Sequence, residues 1–201
     1  MTPQAPPGNG QSDREFANGW KVLLAGMLGV TCGASPIPFN LIGFTVAPLT
    51  AEFGWSRTEI ILPATIYGLI ASLMAPVFGW LADRHGVRKV ALWSVFAFAL
   101  ALAAVALTPT ANKTSTLYFY YGLWTVIGLV GIGSTPVTWS RAVNLWFFRH
   151  RGLALGILLM GTSVAALVIP KLAVWAIAEF GWRMMFALMA LLPLLVALPV
   201  A

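Results

Sequence analysis

The chain has 201 residues, of which 59% are hydrophobic and only 9% are charged, and its formal net charge is +6. So large an apolar excess excludes a soluble domain, which must cover its surface with polar groups, and indicates a helical membrane protein. The basic residues lie between apolar runs, which favours a role in membrane topology over nucleic-acid binding. The single cysteine excludes an intrachain disulfide, and neither histidine has a partner at metal-ligand spacing, so we expect no metal and no cofactor.

In chain order, residues 1–19 are rich in Pro, Gly, Gln and Asn and predict a disordered cytoplasmic tail. Residues 20–201 predict one membrane domain, an all-α bundle of six transmembrane helices, because six apolar segments are each about long enough to cross a bilayer. Connections of five to ten residues make neighbouring segments antiparallel. The predicted segments are Val22–Leu49, Ile60–Leu81, Val90–Leu107, Leu117–Trp146, Gly152–Ile177 and Met184–Ala201.

Lysine and arginine predict the orientation. Placing the N-terminus in the cytoplasm puts seven basic residues inside and three outside, which predicts a multi-pass protein of the plasma (inner) membrane with a cytoplasmic N-terminus. The inner set is Arg14, Lys21, Arg84, Arg88, Lys89, Arg149 and Arg151, and the outer set is Arg57, Lys113 and Arg183. The sequence stops at Ala201 inside an apolar run without an interfacial anchor, so we expect a truncated part of a longer protein.

The densest charge cluster, GWLADRHGVRKV at residues 79–90, lies between the second and third segments. Its glycines allow the chain to end one helix, turn and start another within about eight residues. On charge alone, a solvated positive-inside loop is an alternative interpretation. The matching positions of the pattern G-x-L-x-D-R-x-G-x-R-K are Gly79, Leu81, Asp83, Arg84, Gly86, Arg88 and Lys89.

This pattern resembles the signature loop of the major facilitator superfamily, and the resemblance covers residues 20–201 as the N-terminal six-helix half of a twelve-helix fold. It implies a gating role, in which the loop latches the two halves together at the cytoplasmic face. The gating residues implied are Gly79, Asp83, Arg84, Gly86, Arg88 and Lys89. The stretches EFGWSR (52–57), WFFRHRGLALG (146–156) and FGWR (180–183) are similar to the bacterial monocarboxylate and oxalate:formate antiporter branch, which implies monocarboxylate or dicarboxylate substrates.

Two segments combine polar groups with helix-breaking residues near their centres, as a transporter site requires. The first is GASPIPFN, at residues 33–40, and the second is GIGSTPVTWSR, at residues 131–141. Arg141 lies roughly 10 Å inside the cytoplasmic boundary, a costly position that favours a cavity, although a packing or snorkelling role is an alternative. The residues predicted to bind substrate are Asn40, Ser134, Thr135, Thr138 and Arg141.

No Asp or Glu lies deep in any segment, so the deep charges are cationic and favour an anionic substrate. We therefore predict a secondary active transporter of small organic anions that works by alternating access. Its partners would be the substrate, the lipid bilayer, and a missing C-terminal half or a second copy. The alternatives are a non-transporting sensor or assembly partner on the same half-fold, or a carrier of another solute class. The chain carries no phosphate-binding loop and no nucleophile motif, so we do not expect an enzyme.

The pentapeptide AEFGW occurs twice, at Ala51–Trp55 and Ala178–Trp182. Both copies follow segments that run outward, where glycine ends a helix and tryptophan lies at the headgroup level. The copies follow the first and fifth segments, which are not equivalent in a three-plus-three repeat. We interpret them as shared interface chemistry and not as a duplicated site.

Overall fold

A computed structural model describes residues 15–110 and 112–200, with side-chain surroundings through residue 196. This part of the chain is all-helical, as the sequence predicted. Its elements are α1 (Glu15–Thr31), α2 (Pro36–Phe53), α3 (Arg57–His85), α4 (Val87–Val105), α5 (Lys113–Val130), a 3-10 helix (Gly131–Ser134), α6 (Pro136–Trp146) and α7 (Arg151–Val200).

Five stretches of the described residues are long and apolar enough to cross a membrane. They are Glu15–Phe53, Arg57–His85, Val87–Val105, Lys113–Trp146 and Arg151–Val196. The last stretch contains a break at Gly181, whose φ of 81° and ψ of 170° are not helical. The fifth and sixth predicted segments lie on either side of this break within α7. A membrane-spanning helical bundle is thus confirmed, and the division into six spans stays a prediction.

Two of the five stretches are interrupted near their centres. Residues 32–35 separate α1 from α2, and the 3-10 helix with Thr135 separates α5 from α6. Pro36 and Pro136 are the first residues of α2 and α6. Proline is suited to a first helical position and disfavours the continuation of a preceding helix, because it lacks an N–H and clashes with the turn before it, although Pro48, Pro63 and Pro76 are accommodated inside α2 and α3. The predicted breaks are therefore present in both stretches.

The helices meet at two ends of the bundle. The signature-loop end contains the α3–α4 connection and the α6–α7 connection, and the opposite end contains the α2–α3 and α4–α5 connections. At the signature-loop end, Gly86 alone separates α3 from α4, with a φ of 89°. The predicted turn of about eight residues is thus a single residue. Because a φ in this range strains any residue with a Cβ, glycine permits so abrupt a reversal.

The AEFGW copies meet at the opposite end. Gly54 and Gly181, the glycine of each copy, both have positive φ, at 64° and 81°. Glu52 of the first copy accepts hydrogen bonds from Trp182 Nε1 of the second copy at 2.6 Å and from Arg183 at 2.7 Å. The two copies of AEFGW therefore lie at two helix ends that are hydrogen-bonded to each other.

Residues 1–14 of the predicted tail lie outside the described residues, whereas residues 15–19 already belong to α1. The ring of Phe16 packs against that of Phe147, with centroids 5.0 Å apart, and Gly19 is buried beneath the same ring. These contacts with the α6–α7 connection explain why the helix starts before the apolar run. Sequence composition, which reports only local polarity, gave no sign of them.

Candidate functional site

The two helix breaks cross each other inside the bundle. A Cβ placed on Gly33 would lie 2.3 Å from the carbonyl oxygen of Ser134, so only glycine allows this approach. The N–H of Ala34 donates to Ser134 Oγ at 3.0 Å, and that hydroxyl donates to the carbonyl of Gly131 at 2.6 Å. The hydroxyl of Tyr67 donates to the carbonyl of Ala34 at 2.5 Å. Backbone groups freed by the breaks are thus paired with side chains inside the bundle, as a membrane interior requires.

The crossing also brings together the N-terminal ends of α2 and α6. Each helix carries a partial positive charge at this end, although in α2 the first N–H, that of Ile37, donates to the carbonyl of Gly33. The preceding residues, Ser35 and Thr135, make no side-chain cap to their helices. Two adjacent half-helix N-termini favour a negatively charged ligand, because both dipoles contribute at the same place.

The structure places the predicted substrate residues at different depths around the crossing. Ser134 and Thr138 are buried, and Ser134 is committed to the contacts just described. Asn40 and Thr135 are half-buried. The Asn40 amide donates to the carbonyl of Pro36 at 2.8 Å, and the Thr135 hydroxyl donates to that of Ile132 at 2.7 Å. Ser134 and Thr135 lie at the crossing, while Asn40 and Thr138 lie about one turn along α2 and α6.

Arg141 is joined to the signature loop. Its Nη1 lies 2.6 Å from Asp83 Oδ1 and donates to the carbonyl of Gly79 at 2.9 Å. A Cβ on Gly79 would be 2.8 Å from Arg141 Nη2, so the absence of a side chain there makes room for the guanidinium. The Arg141 and Asp83 side chains are 39% and 70% exposed. The sequence predicted only the depth of Arg141 in its segment, and it did not identify the carboxylate beside it.

The other predicted gating residues lie at the end of α3 and the start of α4. The guanidinium of Arg84 lies over the Trp80 ring, 5.3 Å from its centroid. Gly86 makes the turn, and Arg88 and Lys89 are exposed in the first turn of α4. The structure thus brings one predicted substrate residue, Arg141, into contact with two predicted gating residues, Gly79 and Asp83.

Sequence reasoning missed a carboxylate clamp at the same end. Glu15 accepts backbone N–H bonds from Phe148, Arg149 and His150 at 3.1 to 3.2 Å, and its Oε2 lies 3.3 Å from His150 Nδ1. The Glu15 side chain is only 8% exposed. Because these partners are more than 130 residues away in the chain, no local pattern indicated the contact. The first turn of α1 is thereby fixed to the start of α7.

Comparison with known proteins places this arrangement in a family. Residues 28–201 match the family model of the Major Facilitator Superfamily. The chain belongs to the major facilitator superfamily. This is a family of transporters and not of enzymes, and the membership agrees with a multi-pass integral membrane protein.

Several curated relatives are identical to this chain at about a quarter of the aligned positions. The cis,cis-muconate transport protein of Acinetobacter baylyi is 26% identical over 193 residues, covering 94% of this chain and 44% of that protein. A multidrug resistance protein B homolog of Mycobacterium tuberculosis is 27% identical, covering 92% and 34%. The hexuronate transporter of Escherichia coli K12 is 26% identical, covering 83% and 37%. The chain thus spans less than half the length of these superfamily members.

Proposed function

We propose that this chain forms the N-terminal six-helix half of a secondary active transporter that carries small organic anions by alternating access. The observation that carries the proposal is the crossing of two discontinuous helices near the middle of their membrane stretches. In transporters, substrate sites lie near the bilayer midplane where helices are broken, since irregular backbone is tolerated there only inside protein or beside a cavity. The breaks at residues 32–35 and 131–135 have this position.

Three observations support an anionic substrate. Two half-helix N-termini meet at the crossing, which favours negative charge. The carboxylates of the described residues lie near helix ends, far from the crossing, so they do not oppose an anion there. Muconate and hexuronates, which give two of the relatives their names, carry carboxylate groups. We further propose monocarboxylates and dicarboxylates as the substrate class.

Within this proposal the half-buried Asn40 and Thr135 face the substrate, whereas Ser134 and Thr138 hold the backbone around it. Rearrangement of the Asn40 amide away from the Pro36 carbonyl would free its donors for a carboxylate. The ion pair between Arg141 and Asp83 acts as part of the gate in the signature loop. The N-terminus and the signature-loop end then face the cytoplasm, in the inner membrane, as the distribution of basic residues predicts.

The test is uptake by the protein in proteoliposomes. We expect accumulation of a labelled dicarboxylate such as cis,cis-muconate, or of a hexuronate, with no uptake of a neutral hexose of similar size. Replacing Asn40 with Leu should raise the apparent KM for the anion, while the matched change Asn112→Leu, at the N-cap of α5 near the opposite end, should not. Uptake of the neutral hexose with equal efficiency would contradict the anion proposal.

A carrier of another solute class is the second candidate, because the Mycobacterium tuberculosis relative is named for multidrug resistance. Extrusion of an uncharged or cationic drug from loaded vesicles, without anion transport, would favour it. We also propose that a second half completes the pathway, on the same polypeptide or as another copy. If purified protein binds the anion but produces no flux in any assembly, the sensor interpretation replaces the transporter.

A further inference from the structure

A groove with basic residues at its mouth lies at the signature-loop end and shares Lys89 with the loop described above. It is formed by α3, α4 and α5 and has a volume of about 440 Å³. His85 and Lys89 lie at its mouth, at the ends of α3 and α4. Its apolar body is lined by Phe78, Leu81, Val90, Trp93, Ala97 and Leu129.

The polarity of the groove changes along the helices in one direction. On α4, Lys89, Trp93 and Ala97 follow one another at intervals of four residues and share one face. The distance from Lys89 to Ala97 along the helix axis is about 12 Å. The cation therefore lies at the end of the membrane stretch, and the apolar residues extend from it towards the middle. A phospholipid has the same order, with the charged phosphate at the interface and the acyl chain inward.

The mouth of the groove favours negative charge for two reasons. The first turn of α4 contains no acidic residue, and Gly86 provides no side-chain cap, so the positive helix end is not neutralised. In the part of the chain that the structure describes, Lys89 makes no ion pair, and the nearest carboxylate in the loop, Asp83, is bound to Arg141. A helix N-terminus with an adjacent lysine is a suitable site for a phosphate group.

We propose that this groove binds an anionic phospholipid from the surrounding leaflet. Lys89, His85 and the N-terminus of α4 hold the phosphate, and an acyl chain lies along Trp93 and Ala97. A lipid fits better than a soluble phosphate because the body of the groove is apolar and opens to the outside of the bundle, where Trp93 is 73% exposed. Basic pockets between transmembrane helices bind such headgroups in the cytoplasmic leaflet. The inference does not depend on which solute is transported.

The experiment measures quenching of Trp93 fluorescence in the purified protein by phospholipids with brominated acyl chains. Because the chain has nine tryptophans, the Trp93 signal is the difference between the wild-type protein and Trp93→Phe. Phosphatidylglycerol and phosphatidylcholine with identical chains are titrated in neutral detergent. We expect phosphatidylglycerol to bind on the order of fivefold more tightly, the size of effect typical of one lysine near a membrane surface.

Three variants and two competitors decide the outcome. Lys89→Gln should abolish the preference for phosphatidylglycerol, whereas Arg57→Gln, which removes an exposed cation at the opposite end, should leave it unchanged. Ala97→Phe should weaken both lipids by filling the groove. Equal binding of the two lipids by wild-type protein overturns the proposal. Full competition by soluble glycerol phosphate also overturns the proposal. A native mass spectrum of a dimer without bound lipid overturns it as well, because a second copy would then cover the groove and exclude lipid.

Discussion

Separating Arg141 from Asp83 is expected to alter the balance between transport states more than the stability of the fold. Their 2.6 Å contact is short, but both side chains are substantially exposed, so solvent screens the pair and it contributes about 0.2–1 kcal/mol. The hydrogen bond from Arg141 to the Gly79 carbonyl contributes further stability. Hydrogen bonds with charged donors typically contribute 1.5–3 kcal/mol, and this one is expected at about the low end of that range because it is also partly exposed. The combined effect is roughly 1.7–2.5 kcal/mol, which corresponds to a population change of about 20- to 70-fold.

Four variants separate the contributions. Asp83→Asn keeps the shape of the side chain and removes its charge, while Arg141→Gln removes the cation. Arg141→Lys keeps a point charge but loses the planar fork, so it should rescue only part of the function. The charge swap Asp83→Arg with Arg141→Asp should recover part of the rate that each single change loses. The assay is the initial uptake rate and the apparent substrate affinity in proteoliposomes, normalised to protein content.

The expected result is a fall in turnover with a much smaller change in apparent affinity, because the latch acts on state populations. The ion pair between Glu52 and Arg183 is the matched control, since it is similarly short at 2.7 Å but lies at the opposite end of the bundle. Glu52→Gln should change stability without the same loss of turnover. Wild-type turnover in Asp83→Asn would refute the latch. A loss of affinity alone in Arg141→Gln would make Arg141 a substrate ligand.

Three further predictions concern the crossing and the clamp. Gly33→Ala should lower the free energy of unfolding by more than about 3 kcal/mol in a thermal unfolding assay, because the added methyl group would clash with backbone atoms. The control Gly43→Ala, whose added methyl group would meet open space, should leave it unchanged. Tyr67→Phe should cost about 1 kcal/mol by thermal unfolding through loss of its bond to the broken backbone; an unchanged midpoint would contradict that bond. Glu15→Ala should speed amide hydrogen exchange at residues 148–150, and Glu179→Ala, an exposed change elsewhere, should leave it unchanged.

The position of the helix breaks could be predicted from sequence because their cause is local. Pro36 and Pro136 each lack a backbone donor and have a fixed φ, which suits the first position of a helix, and each stands beside glycine and hydroxyl residues that favour a break. Span length and apolar content likewise depend only on the residues within each segment. The same local character explains the turn at Gly86, although its brevity depends on how closely α3 and α4 approach.

The side-chain partners could not be predicted, because they depend on how each helix is rotated about its axis. Counting residues from Arg149 predicted how deep Arg141 lies in its segment. It could not decide whether the guanidinium faces a cavity or Asp83, because that depends on which side of α6 faces the neighbouring helices. Glu15 lies more than 130 residues from its partners, so only the packed fold shows the contact. Ser134 looked like a ligand because it is a hydroxyl beside a break, yet its bond to Ala34 makes it a link between two helices.

Helix α6 connects the crossing to the latch. It begins directly after Thr135 and carries Arg141 about 9 Å further along its axis. Thr135 and Phe147, the residues that flank it, have extended backbone, so the hydrogen-bonded helix is a separate body between two non-helical residues. An anion at the N-terminus of α6 would act on the same body that holds Asp83. A ligand shifts an equilibrium only when it binds the two states unequally. Coupling between anion binding at the crossing and the Arg141–Asp83 ion pair therefore requires that the anion bind one position of α6 more tightly than the other. The helix dipole supplies this difference, since its interaction with an anion changes with the distance between them.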